Sequence, residues 1–210
     1  LLTGKDIRTI PPPDLRAQVP LVAQKPYLFP GTVSDNLRAS ARLRRVEPPE
    51  LQSRDIKSLI EMCRVEQSWL DRDARKLSVG QQQRICLLRA LLGPCMAMLL
   101  DEPTSGLAPY ARRRLIALLQ GFHHTRIVTS HDLDMIFELC ERTIVLHEGK
   151  VMADGPTLEI FQDNQLLSTC RLEKPFAMQS CPVCSPDQSP AVERPFLVEP
   201  HSSKPHQHIP

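Results

Sequence analysis

The chain has 210 residues, of which 20 are proline and only 8 are glycine, and its formal net charge is +2. This small net charge creates no overall field that would favour nucleic acid or acidic lipid, so partners must be argued from local motifs. No apolar stretch reaches the roughly 18 residues needed to span a bilayer, and we expect a soluble chain.

Cysteine usage and the amino terminus give two further expectations. Seven cysteines is an odd number, and Cys86, Cys95 and Cys140 lie within apolar patterns. This favours buried thiols in a reducing cytosol over a disulfide framework. The sequence begins at Leu1 with no secretory leader, so we expect its amino terminus to be cut.

Proline marks the limits of the part of the chain that we expect to pack. Prolines crowd residues 11–30 and 174–210, and the second segment shows no amphipathic period. We therefore predict one domain over residues 1–161 and a loosely ordered, proline-rich tail over residues 162–210.

Three short apolar runs predict a parallel sheet. They cover residues 19–23, 96–100 and 127–128, and each ends at polar residues. Such runs are typical of strands buried on both faces of a parallel sheet. Pro20 fits poorly, because proline cannot donate a hydrogen bond within a central strand. Ligands bind beyond the carboxyl ends of parallel strands, so the polar residues there form the candidate site.

Helices are predicted between and after these strands. Apolar residues on one helical face, Ile56 to Cys63, indicate a helical region over about residues 33–73. A second helix is predicted to start at Ser78, which has Gln81 at the spacing of a capping box. A helix over residues 133–140, an antiparallel hairpin turning at 147–150 and a short helix over 156–161 complete the predicted elements.

Two adjacent carboxylates, Asp101 and Glu102, follow the second predicted strand. In nucleoside-triphosphate enzymes with a phosphate loop, an acid at the Asp101 position holds Mg²⁺. The next acid is placed to polarise an attacking water as general base. Taken alone, an apolar run before Asp-Glu is more often a strand that ends in a solvated loop.

The order and spacing of four motifs decide between these interpretations. They are Gln24 with Lys25-Pro26-Tyr27-Leu28-Phe29, Leu77-Ser78-Val79-Gly80-Gln81, Asp101-Glu102-Pro103-Thr104-Ser105, and Thr129-Ser130-His131-Asp132. This series resembles the ATP-binding subunit of ATP-binding-cassette (ABC) transporters over nearly all of residues 1–161. The resemblance implies an α/β fold, a P-loop NTPase-like ABC ATPase core with a parallel sheet and a helical signature subdomain over about residues 33–92.

The resemblance also assigns roles to the signature segment. Ser78, Val79, Gly80 and Gln81 are similar to the ABC signature, with Val79 in place of a glycine. In the family this segment binds the γ-phosphate of the ATP held by the partner subunit. The amino terminus of a helix, with free N–H groups and a positive dipole end, suits that anion.

Two further roles rest on the resemblance. Gln24 is similar to the glutamine that reaches Mg²⁺ and the attacking water while its loop touches the transmembrane partner. His131 is similar to the switch histidine that contacts the γ-phosphate and positions Glu102 and water. Taken alone, a glutamine at a strand end is usually only a loop residue, and a solitary histidine is more often structural.

Two departures from the family pattern matter. Residues 105–108 read Ser-Gly-Leu-Ala where the family has Ser-Ala-Leu-Asp, so Ala108 replaces a carboxylate that couples the two sites. No Gly-x-x-x-x-Gly-Lys-Ser/Thr loop (Walker A), which cradles the β- and γ-phosphates, occurs in the 210 residues. In the family, the Walker A loop lies more than 23 residues before the glutamine. Only 23 residues precede Gln24 in this sequence, which leaves no room for the loop. We therefore expect an amino-terminally truncated chain that lacks the first strands and cannot bind ATP normally by itself.

The function implied by the resemblance is that of an ATP-binding and hydrolysing subunit that powers solute transport through a membrane permease. It implies ATP and Mg²⁺ as cofactors, and a homodimer or a homologous ATPase subunit at the cytoplasmic face of the cell membrane. No nucleic acid partner is expected. Residues 149–161 resemble energy-coupling-factor importers for cobalt, nickel and vitamins, whereas residues 26–33 resemble more general importer and exporter ATPases.

The alternative function is a soluble ABC ATPase of DNA repair or translation. Repair types insert long coiled coils between the glutamine and the signature, yet Ser78 follows Gln24 by only 54 residues. Translation types carry two cassettes, and one half-cassette is present here.

Two local features suggest other binding sites. Cys181 and Cys184, with His201, His206 and His208, have the residue types of a zinc site, although their proline-rich setting favours a disordered tail. The basic run over residues 112–114 is expected on a solvated helix face.

Overall fold

A computed structural model describes residues 1–43, 47, 50–51, 53–93, 95–122 and 124–179. The helices in this part are α1 (Pro12–Gln18), α2 (Val33–Leu43), α3 (Arg54–Met62), α4 (Val79–Leu91), α5 (Pro109–Gln120), α6 (Leu133–Leu139), α7 (Thr157–Gln162) and α8 (Asn164–Thr169). The strands are β1 (Leu21–Val22), β2 (Ala97–Asp101), β3 (Thr125–Thr129), β4 (Arg142–His147) and β5 (Lys150–Pro156).

The three predicted apolar runs form one parallel sheet in the order β1-β2-β3. Their register aligns Leu21 with Leu99 and Leu99 with Ile127. Pro20 lies just before β1 and contributes only its carbonyl, which accepts a hydrogen bond from the backbone N–H of Leu99 at 3.0 Å. The missing N–H of proline therefore costs the sheet nothing, and the parallel sheet is confirmed.

One face of this sheet packs on the helical region. Val22, Met98 and Leu100 are each 1% exposed and belong to a core shared with α2, α3 and α4. Ile60 and Cys63, from the predicted helical face, are buried in the same core. The predicted helices over residues 33–73 and from Ser78 are confirmed, with α2 and α3 forming the first region.

The other face of the sheet is open, so the prediction of strands buried on both faces is wrong for β1 and β3. Leu21 and Ile127 are 62% and 56% exposed. They line a largely apolar groove of about 1190 Å³, bordered also by Leu99, Met96 and the first turns of the chain. Pro13, Leu15 and Arg16 of α1 also line this groove, yet Leu21 and Ile127 remain exposed.

The carboxyl-terminal part of the described chain packs as a second core. The hairpin β4–β5 is antiparallel and α7 follows it, as predicted. Beyond Phe161, two further residues are buried in this second core. They are Leu167 of helix α8 and Met178 of a short helical turn over Phe176–Met178. Packing therefore continues to Met178 rather than ending at Phe161, because apolar residues recur at helical spacing in 164–172.

Three other expectations concern the cysteines, membrane-spanning helices and the candidate zinc site. Cys63, Cys86 and Cys170 are buried, and Cys95 and Cys140 are half-buried, in agreement with the expected burial of the thiols. None of the helices in the described residues is long and apolar enough to cross a membrane. The cysteines and histidines proposed for zinc lie in 181–208, outside the described residues.

Candidate functional site

The carboxyl end of β2 carries both candidate carboxylates. Asp101 pairs with Thr129 of β3 in the sheet register, and its Oδ1 accepts a hydrogen bond from Thr129 Oγ1 at 2.7 Å. The backbone N–H of Glu102 donates to the Thr129 carbonyl at 2.9 Å, which continues the pairing one residue beyond the strand. The sheet therefore fixes the backbone of both acids against β3.

Glu102 adopts a backbone conformation that a residue with a side chain seldom takes. Its φ is +44°, in the left-handed region. This turn redirects the chain at the end of β2. Such strain persists only where surrounding contacts enforce it, and it is common at functional sites.

The Glu102 carboxylate is held by the loop after β3. Ser130 Oγ donates to Oε2 at 3.0 Å, and the backbone N–H of His131 donates to Oε1 at 3.0 Å. His131 Nδ1 lies 2.8 Å from the same Oε1. Both oxygens of Glu102 therefore have a defined direction, and the predicted pairing of Glu102 with His131 is present in the geometry.

The contact with Glu102 changes the pKa of the His131 imidazole. The hydrogen bond to Glu102, assisted by the negative charge of that carboxylate, raises the pKa of His131 above its ordinary value. The ring is 79% exposed, so it is accessible to a ligand on its outer side. A raised pKa favours the imidazolium, in which both ring nitrogens donate, as an anionic ligand such as a phosphate would require.

Gln24 reaches the same edge from the loop after β1. Its Nε2 donates to Ser105 Oγ at 3.2 Å, in the loop that follows Glu102. The loop is supported by Asn36 of α2, which is fully buried. Asn36 Oδ1 accepts from the N–H of Phe29 at 2.8 Å, and its Nδ2 donates to the carbonyls of Phe29 and Thr32.

Sequence reasoning missed Asn36. The signal that could have found it is its position between Val33 and Leu37, on the buried face of α2. A polar amide on an apolar helical face needs hydrogen-bond partners, and these are the backbone groups of the loop that carries Gln24.

The signature segment starts α4 as predicted. Ser78 Oγ accepts from the N–H of Gln81 at 3.3 Å, and Gln81 Oε1 accepts from the N–H of Ser78 at 2.9 Å. This capping box is confirmed. Gly80 packs close to Leu107 and Ala111, since an added Cβ would lie 3.6 Å and 3.8 Å from their side chains.

The predicted site residues fall into two groups in the structure. The structure places Asp101, Glu102, His131 and Gln24 at one sheet edge. In the described part of the chain, the side-chain hydrogen bonds of Ser78 and Gln81 join them to each other, whereas those of Asp101 and Glu102 go to residues 129–131.

The edge has the chemistry for Mg²⁺. No cluster of three or more His, Cys, Asp or Glu side chains occurs among the described residues. Mg²⁺ at phosphate sites usually takes only one or two protein carboxylates and fills its other positions with phosphates and water. Asp101, with its second carboxylate oxygen at the strand end, fits that requirement.

The prediction that residues 112–114 lie on a solvated helix face is wrong for Arg112. Its Nε and Nη2 donate to Asp132 Oδ2 and Oδ1 at 2.6 and 2.8 Å. The guanidinium of Arg114 lies 4.6 Å from the ring centroid of Tyr110, and Arg113 is exposed. The error arose because the run sits on a helix whose first turn faces the loop after His131.

Comparisons with known proteins identify the family of the chain. The sequence model of the ABC transporter family matches residues 1–105. A protein of Geobacter sulfurreducens named as an ABC transporter ATP-binding protein is 47% identical over 174 residues, which cover 82% of this chain and 69% of that protein. Other curated relatives are matched over about half to two thirds of their length.

Two solved structures resemble the fold. One is cbiO1 from Clostridium perfringens, described as part of the ABC transporter complex cbiONQ, with a TM-score of 0.61, 26% identity, and coverage of 74% of this chain and 63% of that one. The other is the ATP-binding cassette MJ0796, a dimer bound to ADP and Pi, with a TM-score of 0.60, 24% identity, and coverage of 71% and 68%. The α/β fold predicted from sequence is confirmed.

The relatives do not single out the energy-coupling-factor type, which stays a prediction. The family itself follows from the match over half of the chain and from the Geobacter relative. This chain belongs to the ATP-binding proteins of ABC transporters, a family of ATPases.

Proposed function

We propose that the chain supplies the hydrolytic edge of an ATP-binding subunit that powers solute transport through a membrane permease. The observation that supports this most directly is the Glu102 carboxylate, whose oxygens accept hydrogen bonds from Ser130 and from the His131 backbone. A carboxylate oriented in this way can accept a proton from an attacking water as general base. His131, beside it, would contact the γ-phosphate and keep Glu102 in place.

Asp101 and Gln24 would complete the edge around the nucleotide. Asp101 would hold Mg²⁺, and Gln24 would reach the ion and the attacking water from the loop after β1. When bound, Mg²⁺ neutralises charge on the phosphates of ATP. Thr129 prepares Asp101 for this role, because its hydroxyl fixes one carboxylate oxygen and orients the other.

The signature segment would act on a neighbouring subunit. Ser78, Val79, Gly80 and Gln81 start a 13-residue helix, whose first N–H groups have no acceptor within the helix. They would bind the γ-phosphate of ATP held by a second copy or a homologous subunit. The capping box uses the Ser78 hydroxyl and the Gln81 side chain, which leaves the N–H groups of Val79 and Gly80 for the phosphate.

Binding of ATP would also require a phosphate-binding loop. No Walker A sequence occurs among the 210 residues, and positioning and electrostatics supply nearly all phosphoryl-transfer catalysis. We therefore infer that the chain by itself hydrolyses ATP at no more than background rate, and that activity depends on a loop supplied from outside these residues.

The permease would dock on the loop after β1, at the cytoplasmic face of the membrane. Tyr27 in that loop is 67% exposed, although it belongs to a segment anchored by Asn36. An exposed aromatic ring on a fixed loop is a typical interface anchor. The similarity to cbiO1, described as part of the ABC transporter complex cbiONQ, supports a subunit that works within such a complex. Uptake and the energy-coupling-factor type remain part of the proposal.

Capture experiments test this proposal. We expect the tagged chain to retain a permease subunit from membrane extract, identified by mass spectrometry, and to retain no ribosomes. Tyr27→Ala should abolish capture of the permease. Tyr110→Ala is the matched control, since Tyr110 is 60% exposed on α5, and it should capture normally. Capture of ribosomes without a permease would favour the soluble translation-type alternative and contradict the proposal.

A further inference from the structure

The first turn of helix α5 is tied to the loop that carries His131. Arg112 forms a bidentate pair with Asp132, with N–O distances of 2.6 and 2.8 Å. Both side chains are largely buried, at 25% and 21% exposed. Bidentate guanidinium–carboxylate pairs fix orientation as well as distance, because two parallel hydrogen bonds must be satisfied together.

From Asp132 the contacts continue to Glu102. The backbone N–H of Asp132 donates to Ser130 Oγ at 3.1 Å, and Ser130 Oγ donates to Glu102 Oε2 at 3.0 Å. His131, between Ser130 and Asp132, donates its N–H to Glu102 Oε1. Arg112 is thus linked to both oxygens of Glu102 through one short loop.

Asp132 joins three parts of the molecule at one carboxylate. Besides its pair with Arg112, Asp132 accepts a hydrogen bond from the backbone N–H of Met135 at 3.0 Å, which caps helix α6. It also accepts a hydrogen bond from Thr104 Oγ1 at 3.3 Å, in the loop that follows Glu102. A shift of this carboxylate would move α6, the loop after Glu102 and the His131 loop together.

The start of α5 has no side-chain cap of its own. Ala108 is the N-cap residue and makes no capping hydrogen bond. Arg112 is therefore the charged side chain of the first turn that holds this end of α5 to its neighbours. The Arg112 hydrogen bond lowers the pKa of Asp132, which keeps that carboxylate charged beside the acids of α6.

We propose that Arg112 is a positioning residue for the candidate site, which through Asp132 and Ser130 sets the placement of His131 against Glu102. The inference rests on the proposed function only in the sense that Glu102 and His131 carry out hydrolysis. One consequence is that a contact made with residues 105–108, just before α5, changes the His131–Glu102 geometry by moving Arg112.

The test uses the 210-residue chain without nucleotide, so its result does not depend on ATP hydrolysis. Amide hydrogen exchange and His131 ring-nitrogen shifts are measured by NMR for Arg112→Met. We expect the amides of His131 and Asp132 to exchange about 10- to 100-fold faster, the range for loss of hydrogen bonds to a charged group. The ring signal of His131 should move toward that of a free histidine.

Two matched variants separate positioning from general stability. Arg113→Met, one residue along on the exposed side of α5, should leave both readouts unchanged. Arg112→Lys should restore part of the protection, because lysine keeps the charge but makes no bidentate pair. Amides of the β4–β5 hairpin should exchange at the parent rate in every variant.

A double-mutant cycle gives an independent check. Asp132→Asn should show the same loss at His131, and the double variant with Arg112→Met should be no worse than either single change. Unchanged His131 exchange and ring shifts in Arg112→Met would overturn the proposal. Equal acceleration across the whole chain, including the hairpin, would also overturn it, since Arg112 would then act on stability alone.

Discussion

The three-stranded sheet has two contrasting regions, built from neighbouring residues of the same strands. At the carboxyl ends of the strands the polar side chains have hydrogen-bond partners, whereas on the open face apolar side chains are exposed. At the edge, Asp101 and Glu102 accept hydrogen bonds from residues 129–131. On the open face, Leu21 and Ile127 are mostly exposed. We therefore expect the hydrogen bonds at the strand ends and the packing on the covered face to set the geometry of the candidate site. We expect the side chains on the open face to contribute less to it.

A cavity on the covered face should give the largest loss of stability. Leu100 is 1% exposed and directly precedes the two carboxylates. We expect Leu100→Ala to lower the free energy of unfolding by about 2–5 kcal/mol, because the transfer and cavity terms add. Urea denaturation measures this. A loss below about 1 kcal/mol would mean that the covered face does not hold the edge.

Removing the buried amide under the Gln24 loop should cost less. We expect Asn36→Ala to lower the free energy of unfolding by about 1–3 kcal/mol, because half-buried backbone groups of Phe29 and Thr32 lose their partner. Arg38→Ala, exposed on the same helix, is the matched control and should be close to neutral in the same urea experiment. Equal effects of the two changes would contradict the role given to Asn36.

The contact between His131 and Glu102 should appear in a pH titration. Since the folded-state pKa of His131 is raised, the stability from this contact is fully present below the unfolded value of about 6.5. It is lost as the pH rises through the raised folded-state pKa. NMR titration should give a His131 pKa above 6.5 in the parent and a lower one in Glu102→Gln. Identical titration curves would show that Glu102 does not act on the imidazole.

A polar change on the open face should have the smallest effect. Ile127 is 56% exposed, so we expect Ile127→Thr to alter the free energy of unfolding by no more than about 0.5 kcal/mol. Comparison with Leu100→Ala in the same urea experiment sharpens the contrast between the two faces. A loss of about 2 kcal/mol or more at Ile127 would show that this face is covered in solution.

Local sequence signals predicted much of this architecture. Apolar runs that end at polar residues gave the parallel sheet, and the Ser78–Gln81 spacing gave the capping box at the start of α4. The grouping of Asp101, Glu102 and His131 followed from the rule that polar residues after parallel strands meet at one edge. These features depend on short-range spacing, which a single sequence carries.

Features that depend on long-range contacts could not be predicted in this way. A buried strand pattern does not say whether one face or both are covered, as Leu21 demonstrates. The pairing of Arg112 with Asp132 joins residues 20 apart on different elements, and the arginine run suggested only a solvated surface. The left-handed φ of Glu102 likewise depends on the contacts around it.

ATP hydrolysis measures the central claim most directly. The chain is tested alone and after fusion, before Leu1, to the Walker A segment of an active ABC ATPase. We expect background activity from the chain alone and turnover from the fusion. Glu102→Gln should lower kcat of the fusion by about 10²–10⁴-fold, the usual contribution of a general base. Glu148→Gln, in the exposed hairpin turn, should leave it unchanged. Equal turnover of the fusion and its Glu102→Gln variant would contradict the account.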